Sequence, residues 1–277
     1  MFDFLRGLVV DGFLPVFIAL AEFMPTVVIL LVVVSLFENS GFILGFGCTT
    51  LAVGAMNKNA DTAYKRRMVR FLTFIPCSAK LPVLMFICGM ILGWSAFGVV
   101  FLYLLSLALG LLFGGYYVVK VPKFRKVSFK ALIIAIFKNI LEFLNRISVG
   151  LLLAVAVLYT LQYFGFLVPV ASVFTPLFVP IGLGSAAIIS CLAFGLIAKE
   201  MIIGAILSFG VANLGLTTAS AVSFIVFVLL YTSCLPSLTA IKHKLSLKDA
   251  FMAAFFNFAV AYAAAFVVYN VAVILAM

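Results

Sequence analysis

Prolines break apolar segments of membrane length at two places, and each time a cysteine stands beside the break: Pro76-Cys77-Ser78-Ala79-Lys80-Leu81-Pro82 and Ser233-Cys234-Leu235-Pro236-Ser237. Proline lacks a backbone donor and its ring clashes with the preceding turn, so a spanning helix ends or kinks there. Inside a bilayer such a break survives only where protein or a polar pathway takes up the freed carbonyls. One thiol-bearing break in each half of the chain points to a midplane ion site. Composition agrees with the membrane setting. Of 277 residues, 67% are hydrophobic and 9% charged, against about 25% charged in soluble domains. The fold class expected is all-α, a polytopic transmembrane bundle with broken or re-entrant helices. A β-barrel would show alternating segments of about ten residues, and none occur.

Along the chain, the first apolar run exceeds a signal-peptide core and no A-x-A site follows it, so it reads as retained. A first crossing at 14–37 is interrupted by Pro25. Residues 42–56 are Gly-rich and short for a full span, a candidate re-entrant loop. The broken segment 68–93 and a clean span at 96–119 follow. Residues 128–146 carry Lys130, Lys138, Glu142 and Arg146 among apolar residues at helical spacing, the pattern of an interfacial helix. The second half opens at Ile147. Residues 166–184 hold Pro169, Pro176 and Pro180 and are expected to be broken or re-entrant. Residues 186–209 read as one span, apolar except for Lys199-Glu200 near its middle. Residues 217–232 lead into Cys234, and 251–277 close the bundle. Two similar halves, 1–119 and 147–277, thus flank a basic linker at 120–146.

The formal net charge of +10 sits at 58–70, 120–146 and 242–248. Basic loops stay cytoplasmic and touch anionic headgroups, so the partner expected of them is the lipid bilayer and not nucleic acid. Two crossings separate the first two clusters. The third joins them only if four crossings intervene. No polar stretch is long enough for a soluble core, so whatever energises the chain is expected on another polypeptide, or is absent. There is no G-x-x-x-x-G-K-[ST], no H-E-x-x-H and no pair of intramembrane acids, so neither an enzyme nor a permanently bound cofactor is expected. A single Gln in the whole chain argues against recognising a sugar or base by hydrogen bonds.

Cys77 and Cys234 lead the candidate metal ligands. A thiolate suits borderline or soft divalent metals, whereas Mg²⁺ and Ca²⁺ prefer oxygen. Pro76, Pro82 and Pro236 mark the breaks, whose freed carbonyls would add oxygen ligands. The competing reading makes both cysteines small packing residues near kinks. Cys48 lies in Gly45-Phe46-Gly47-Cys48, where glycines allow close backbone approach. Cys88 and Cys191 sit in unbroken apolar stretches and read as packing. An ionisable pair inside a span is a functional hypothesis by default. On a helix Lys199 and Glu200 would point about 100° apart and not neutralise each other, which leaves Glu200 to attract a cation. Glu38 reads as a cap or vestibule residue, Lys80 as a helix-terminus or lipid-facing charge, and His243 as a surface residue.

Seven stretches in order resemble the membrane half of the bacterial ferrous iron transport protein B family, whose two Gate regions each carry a conserved cysteine. LFENSGF is similar to the family's Leu-Glu-Asp-Ser-Gly-Tyr stretch and GFGCTT to its Gly-Phe-Gly-Cys-Asn turn. IPCSAKLPVL resembles the first Gate cysteine motif and is the most specific match, and VPKFRKVS resembles the Pro-Tyr-Arg linker between Gates. FTPLFVPIGLGS, GLIAKEMIIGAI and LLYTSCLPSLTAIKHK resemble successive elements of the second Gate. Three departures stand out. The family's G-protein and spacer domains have no counterpart in this sequence, a long basic insert is missing between Gly41 and Leu44, and Thr49-Thr50 replaces the Asn after Cys48.

The resemblance implies a multi-pass permease of the bacterial inner membrane for a divalent transition metal, Fe²⁺ foremost. Cys77 and Cys234 would guide the ion, with Cys48 and Glu200 as further candidates. The partners it implies are a separate GTPase or a small accessory protein, with a homo-oligomer as a further option. Two other readings stand beside it. One is a Gate-fold permease for a nucleoside-like solute, and the other a non-transporting membrane subunit that docks a separate GTPase through the basic loops.

Overall fold

Helices make up all regular structure among the described residues except one antiparallel pairing of two residues a side. There β1, Phe37–Glu38, meets β2, Lys123–Phe124, with Phe37 opposite Phe124 and Glu38 opposite Lys123. The computed structural model describes residues 37–38, 48–57, 60–77, 79–91, 96–115, 123–124, 160–161, 163–199, 201–209, 214–231 and 233–276. The first crossing apart from β1, the interfacial helix at 128–146 and Glu200 lie outside the described residues.

The first cysteine-bearing segment is broken where its prolines require. Helix α1, Thr49–Gly54, is followed by α2, Thr62–Phe74. The early part of α2 exposes Arg66, Arg67 and Arg70, whereas Phe71 to Phe74 are all buried. Ile75 is extended, with φ −60° and ψ 128°, because the proline that follows disfavours the helical region for its predecessor. The chain becomes helical again as α3, Lys80–Phe86. Pro82 is the third residue of α3, still in the first turn, where the missing N–H has no helical partner to lose. A π-turn, Ile87–Ile91, continues α3. Then comes α4, Ala96–Gly114, a 19-residue helix inside the expected span.

The later elements repeat the theme of interruption. Helix α5, Leu167–Phe178, and its 3-10 extension Val179–Ile181 turn by 100° into α6, Ala186–Ile197. The bend falls at Gly182, whose φ of +73° favours glycine, and it matches the broken or re-entrant segment expected at 166–184. Residues 186–209, read above as one span, are instead two helices. Ala198 is extended, with φ −143° and ψ 134°, and α7, Met201–Phe209, starts after it. Lys199 therefore lies in a break and not on a helix face, so the 100° argument does not apply to it. Next come α8, Thr218–Leu230, and α9, Leu235–Lys244. Together they form a membrane-length unit of 27 residues, Thr218–Lys244, interrupted between Leu230 and Leu235 beside Pro236. Helix α10, Leu247–Ala276, runs for 30 residues.

Helix α8 is the centre of the bundle. Residues Ser223 to Leu230 are all buried, as expected of a helix that is apolar all round. It packs on α10, α3, α4 and the π-turn. Phe227 of α8 stacks on Tyr231 and meets Phe178 and Phe258 edge-on. On its outer face α10 exposes Phe251, Met252, Phe255 and Ile274, an apolar surface of the kind that faces lipid. A second core joins the halves directly, with Phe71, Leu72 and Ile75 beside Ile241, Ala250 and Ala253.

Basic residues gather at one end. Arg66 Nε of α2 pairs with Asp249 Oδ1 of α10 at 2.7 Å. Lys244 Nζ at the end of α9 donates to Met56 O, just past α1, at 3.0 Å. Ser246 Oγ caps α10 by accepting from Asp249 N at 3.1 Å and donates to Asp249 Oδ2 at 2.7 Å. Among the described residues, basic residues of 60–70 and of 242–248 thus lie at one end of the protein.

Helices α2 and α4 touch through Gly110 and Gly114, a G-x-x-x-G spacing of the kind that lets membrane helices approach closely. A Cβ on Gly114 would lie 2.5 Å from Phe71 Cβ and 3.0 Å from its Cα. Gly114→Val is expected to destabilise the detergent-solubilised protein by about 1–3 kcal/mol. Gly204→Ala, where nothing lies within 4 Å, should leave the midpoint unchanged or raise it. Thermal unfolding of both variants checks the pair.

Candidate functional site

Three cysteines stand at the starts of three helices. Cys48 is the N-cap residue of α1 and Cys234 the N-cap residue of α9. Cys77 lies in the break before α3, its carbonyl accepting from Lys80 N at 2.9 Å. Helices α1 and α9 pack together, and a side-chain chain joins their first turns. Thr50 Oγ1 lies 3.1 Å from Ser237 Oγ, which lies 3.3 Å from Cys234 Sγ. Cys48 is within electrostatic reach of both Cys77 and Cys234, so the structure brings thiols from both halves of the chain to one locality. All three are half-buried and none of the five cysteines is in a disulfide. Among the described residues no three His, Cys, Asp or Glu side chains converge as a ready metal cluster. Cys88 and Cys191 are 1% and 0% exposed in the core, in keeping with packing.

The backbone oxygens are arranged differently from the sequence expectation. At a helix start the N–H groups face outward and the carbonyls point along the helix. Cys234 O accepts from Ser237 N at 2.9 Å and Leu238 N at 3.2 Å. Pro236 O accepts from Thr239 Oγ1 at 2.8 Å. The carbonyls freed by the breaks instead belong to the helices that end there, and side chains claim them. Ser106 Oγ of α4 donates to Phe74 O at the end of α2. Lys80 Nζ donates to Leu229 O near the end of α8 at 2.6 Å.

Lys80 therefore differs from its sequence reading. It begins α3, as a helix-terminus charge would, but it is 3% exposed and turned inward, not toward lipid. Cys77 and Cys234 both lie within its electrostatic reach. Lys199, 2% exposed, places Nζ 3.1 Å from the centroid of the Tyr231 ring. Two ammonium groups thus meet the C-terminal end of α8, the negative end of its dipole. Sequence reasoning named both lysines but could not pair them, because each partner is more than 30 residues away in the chain. His243 is exposed, as a surface residue should be.

This is a helical membrane bundle whose helices come apart beside cysteines. Within that class the chain is similar along nearly its whole length to the ferrous iron transport protein B family, as its motifs imply. It is 26% identical to the Fe(2+) transporter FeoB of Staphylococcus aureus strain COL, over 97% of this chain and 49% of that protein. With the Fe(2+) transporter FeoB of Synechocystis it shares 26% identity over 86% of this chain and 48% of the relative. A Fe(2+) transport protein A/Fe(2+) transporter FeoB fusion protein of Porphyromonas gingivalis is 25% identical over 57% of the chain and 23% of its own length. The chain spans about half the length of the FeoB proteins it matches. No family model and no solved structure matches it.

The Lys199–Tyr231 contact gives a direct test of how this end of α8 is held. Tyr231→Phe keeps the ring and loses only a 3.4 Å hydrogen bond to Leu192 O. Tyr231→Leu removes the face on which the ammonium rests, a contact worth about 2 kcal/mol when desolvated. Unfolding midpoints in detergent should fall clearly more for Tyr231→Leu than for Tyr231→Phe.

Proposed function

We propose that this chain is a membrane permease for a divalent transition metal, with Fe²⁺ the favoured cargo. The observation that supports the reading is that Cys77 and Cys234, one from each half, stand beside helix breaks, each within electrostatic reach of Cys48 and Lys80. Sulfur is the electron-pair donor the site offers, and soft or borderline divalent metals are the ions that take it. The names of the similar proteins support iron as that metal. Glu200, outside the described residues, would add negative field next to Lys199.

In this account a hydrated ion reaches the break between α2 and α3 or between α8 and α9 and exchanges waters for sulfur. Inward movement of a double charge is favoured by about 4.6 kcal/mol per 100 mV of membrane potential. Pro76, Pro82 and Pro236 keep the helices parted, so that the sulfurs sit at chain ends and not within a packed helix wall. The basic end, with Arg66, Arg67, Lys242 and Lys248, would lie on the cytoplasmic side of a bacterial inner membrane.

A second reading has an observation of its own. The Porphyromonas gingivalis relative is a fusion with a Fe(2+) transport protein A, which favours a small accessory protein as partner. The exposed basic end would be its docking face, and a separate GTPase could dock there too. A subunit that docks such partners without conducting would co-purify with them and show no flux.

Reconstituted in liposomes under an inside-negative potential, the chain is expected to take up Fe²⁺. Cys77→Ser together with Cys234→Ser should reduce that uptake at least about tenfold, since a hydroxyl is a poor substitute for a soft ligand. Unchanged Fe²⁺ flux in the double variant would remove both ligand roles.

A further inference from the structure

Lys80 is left without a part in that scheme. Its ammonium is buried at 3% exposure and holds Leu229 O at 2.6 Å. The carbonyl end of a helix, opened by a break, is where a dehydrating cation finds oxygen ligands. Here a lysine already occupies that place. Another carbonyl freed nearby, Phe74 O, accepts from the Ser106 hydroxyl. The carbonyls of Cys48, Cys77 and Cys234 accept from Ala52, Lys80 and Ser237 N–H groups. The thiols of Cys48, Cys77 and Cys234 stand at these same helix starts.

We propose that Lys80, by holding Leu229 O, closes the cysteine-lined break to hard cations and so sets the metal preference of the passage. The proposal rests on the reading of Cys77 and Cys234 as metal ligands. A hard ion such as Mg²⁺ needs oxygen ligands. It finds Leu229 O taken. A soft or borderline ion finds the same oxygen taken but gains bonds to sulfur instead. Lys199, over the Tyr231 ring two residues on from Leu229, adds a second ammonium at the same helix end. Discrimination then comes from two sources. The thiols reward soft ions, and Lys80 withholds the oxygen from those that cannot bind sulfur.

The test is paired Fe²⁺ and Mg²⁺ uptake by the full chain in liposomes, for wild type, Lys80→Met, Lys80→Gln and Lys80→Arg. Lys80→Gln keeps a donor for Leu229 O without the charge, and Lys80→Arg keeps the charge. Lys80→Met, which frees Leu229 O, is expected to raise Mg²⁺ uptake relative to Fe²⁺ by about tenfold or more. Lys80→Gln and Lys80→Arg, which keep a donor on that oxygen, should hold the wild-type ratio, since a charge repels two divalent ions alike. A wild-type ratio in Lys80→Met, with Fe²⁺ uptake intact, overturns the role of Lys80 while leaving the permease reading in place. Absence of Fe²⁺ uptake by the wild-type chain overturns the permease reading, and this inference falls with it.

Discussion

A carbonyl freed from its helix inside a bilayer has no water to bond, so each break in this bundle must bring its own donor. That requirement organises the structure. At the end of α2, Ser106 supplies a hydroxyl to Phe74 O. Near the end of α8, Lys80 supplies an ammonium to Leu229 O. At the sharp turn after α5, Ser223 donates to Ile181 O at 2.6 Å. Each of these three donors comes from a different helix than the carbonyl it serves, so these breaks are also ties between helices.

Much of this was legible in the sequence, and the reasons are local. Pro76 and Pro236 announce breaks through the geometry of their own rings, and α2, α3, α8 and α9 end and start beside them. Pro176, Pro180 and the glycines at 182 and 184 likewise announce the 100° turn. The break at Ala198 and Lys199 was not legible, because neither proline nor glycine falls between Leu196 and Ile203 and a charged pair alone does not end a helix. Lys199 is there because its ammonium needs the Tyr231 ring, a partner supplied by another helix. Lys80 escaped for the same reason, as its acceptor lies 149 residues away. The thiols could be named from sequence, whereas the occupation of nearby oxygens by Thr239, Ser106 and Lys80 depends on tertiary contacts.

The two halves do not fold as separate cores. Phe71 and Ile75 share a cluster with Ile241 and Ala250, and α10 packs on α2 as well as on α8 and α9. Ser237 joins Thr50 of the first half to Cys234 of the second, while Arg66 and Asp249 close the basic end. A motion that separates the halves would have to open these contacts together. That couples the locality of the thiols to the charged face, some of whose residues belong to the same helices.

The central claim is that sulfur from both halves meets the cargo, and the most direct measurement is X-ray absorption on the purified chain loaded with Zn²⁺ as a stable stand-in. The account predicts metal–sulfur scattering at about 2.3 Å, lost when Cys77 and Cys234 are both replaced by serine. A shell of oxygen or nitrogen alone at about 2.0–2.2 Å, unchanged by those replacements, would contradict it.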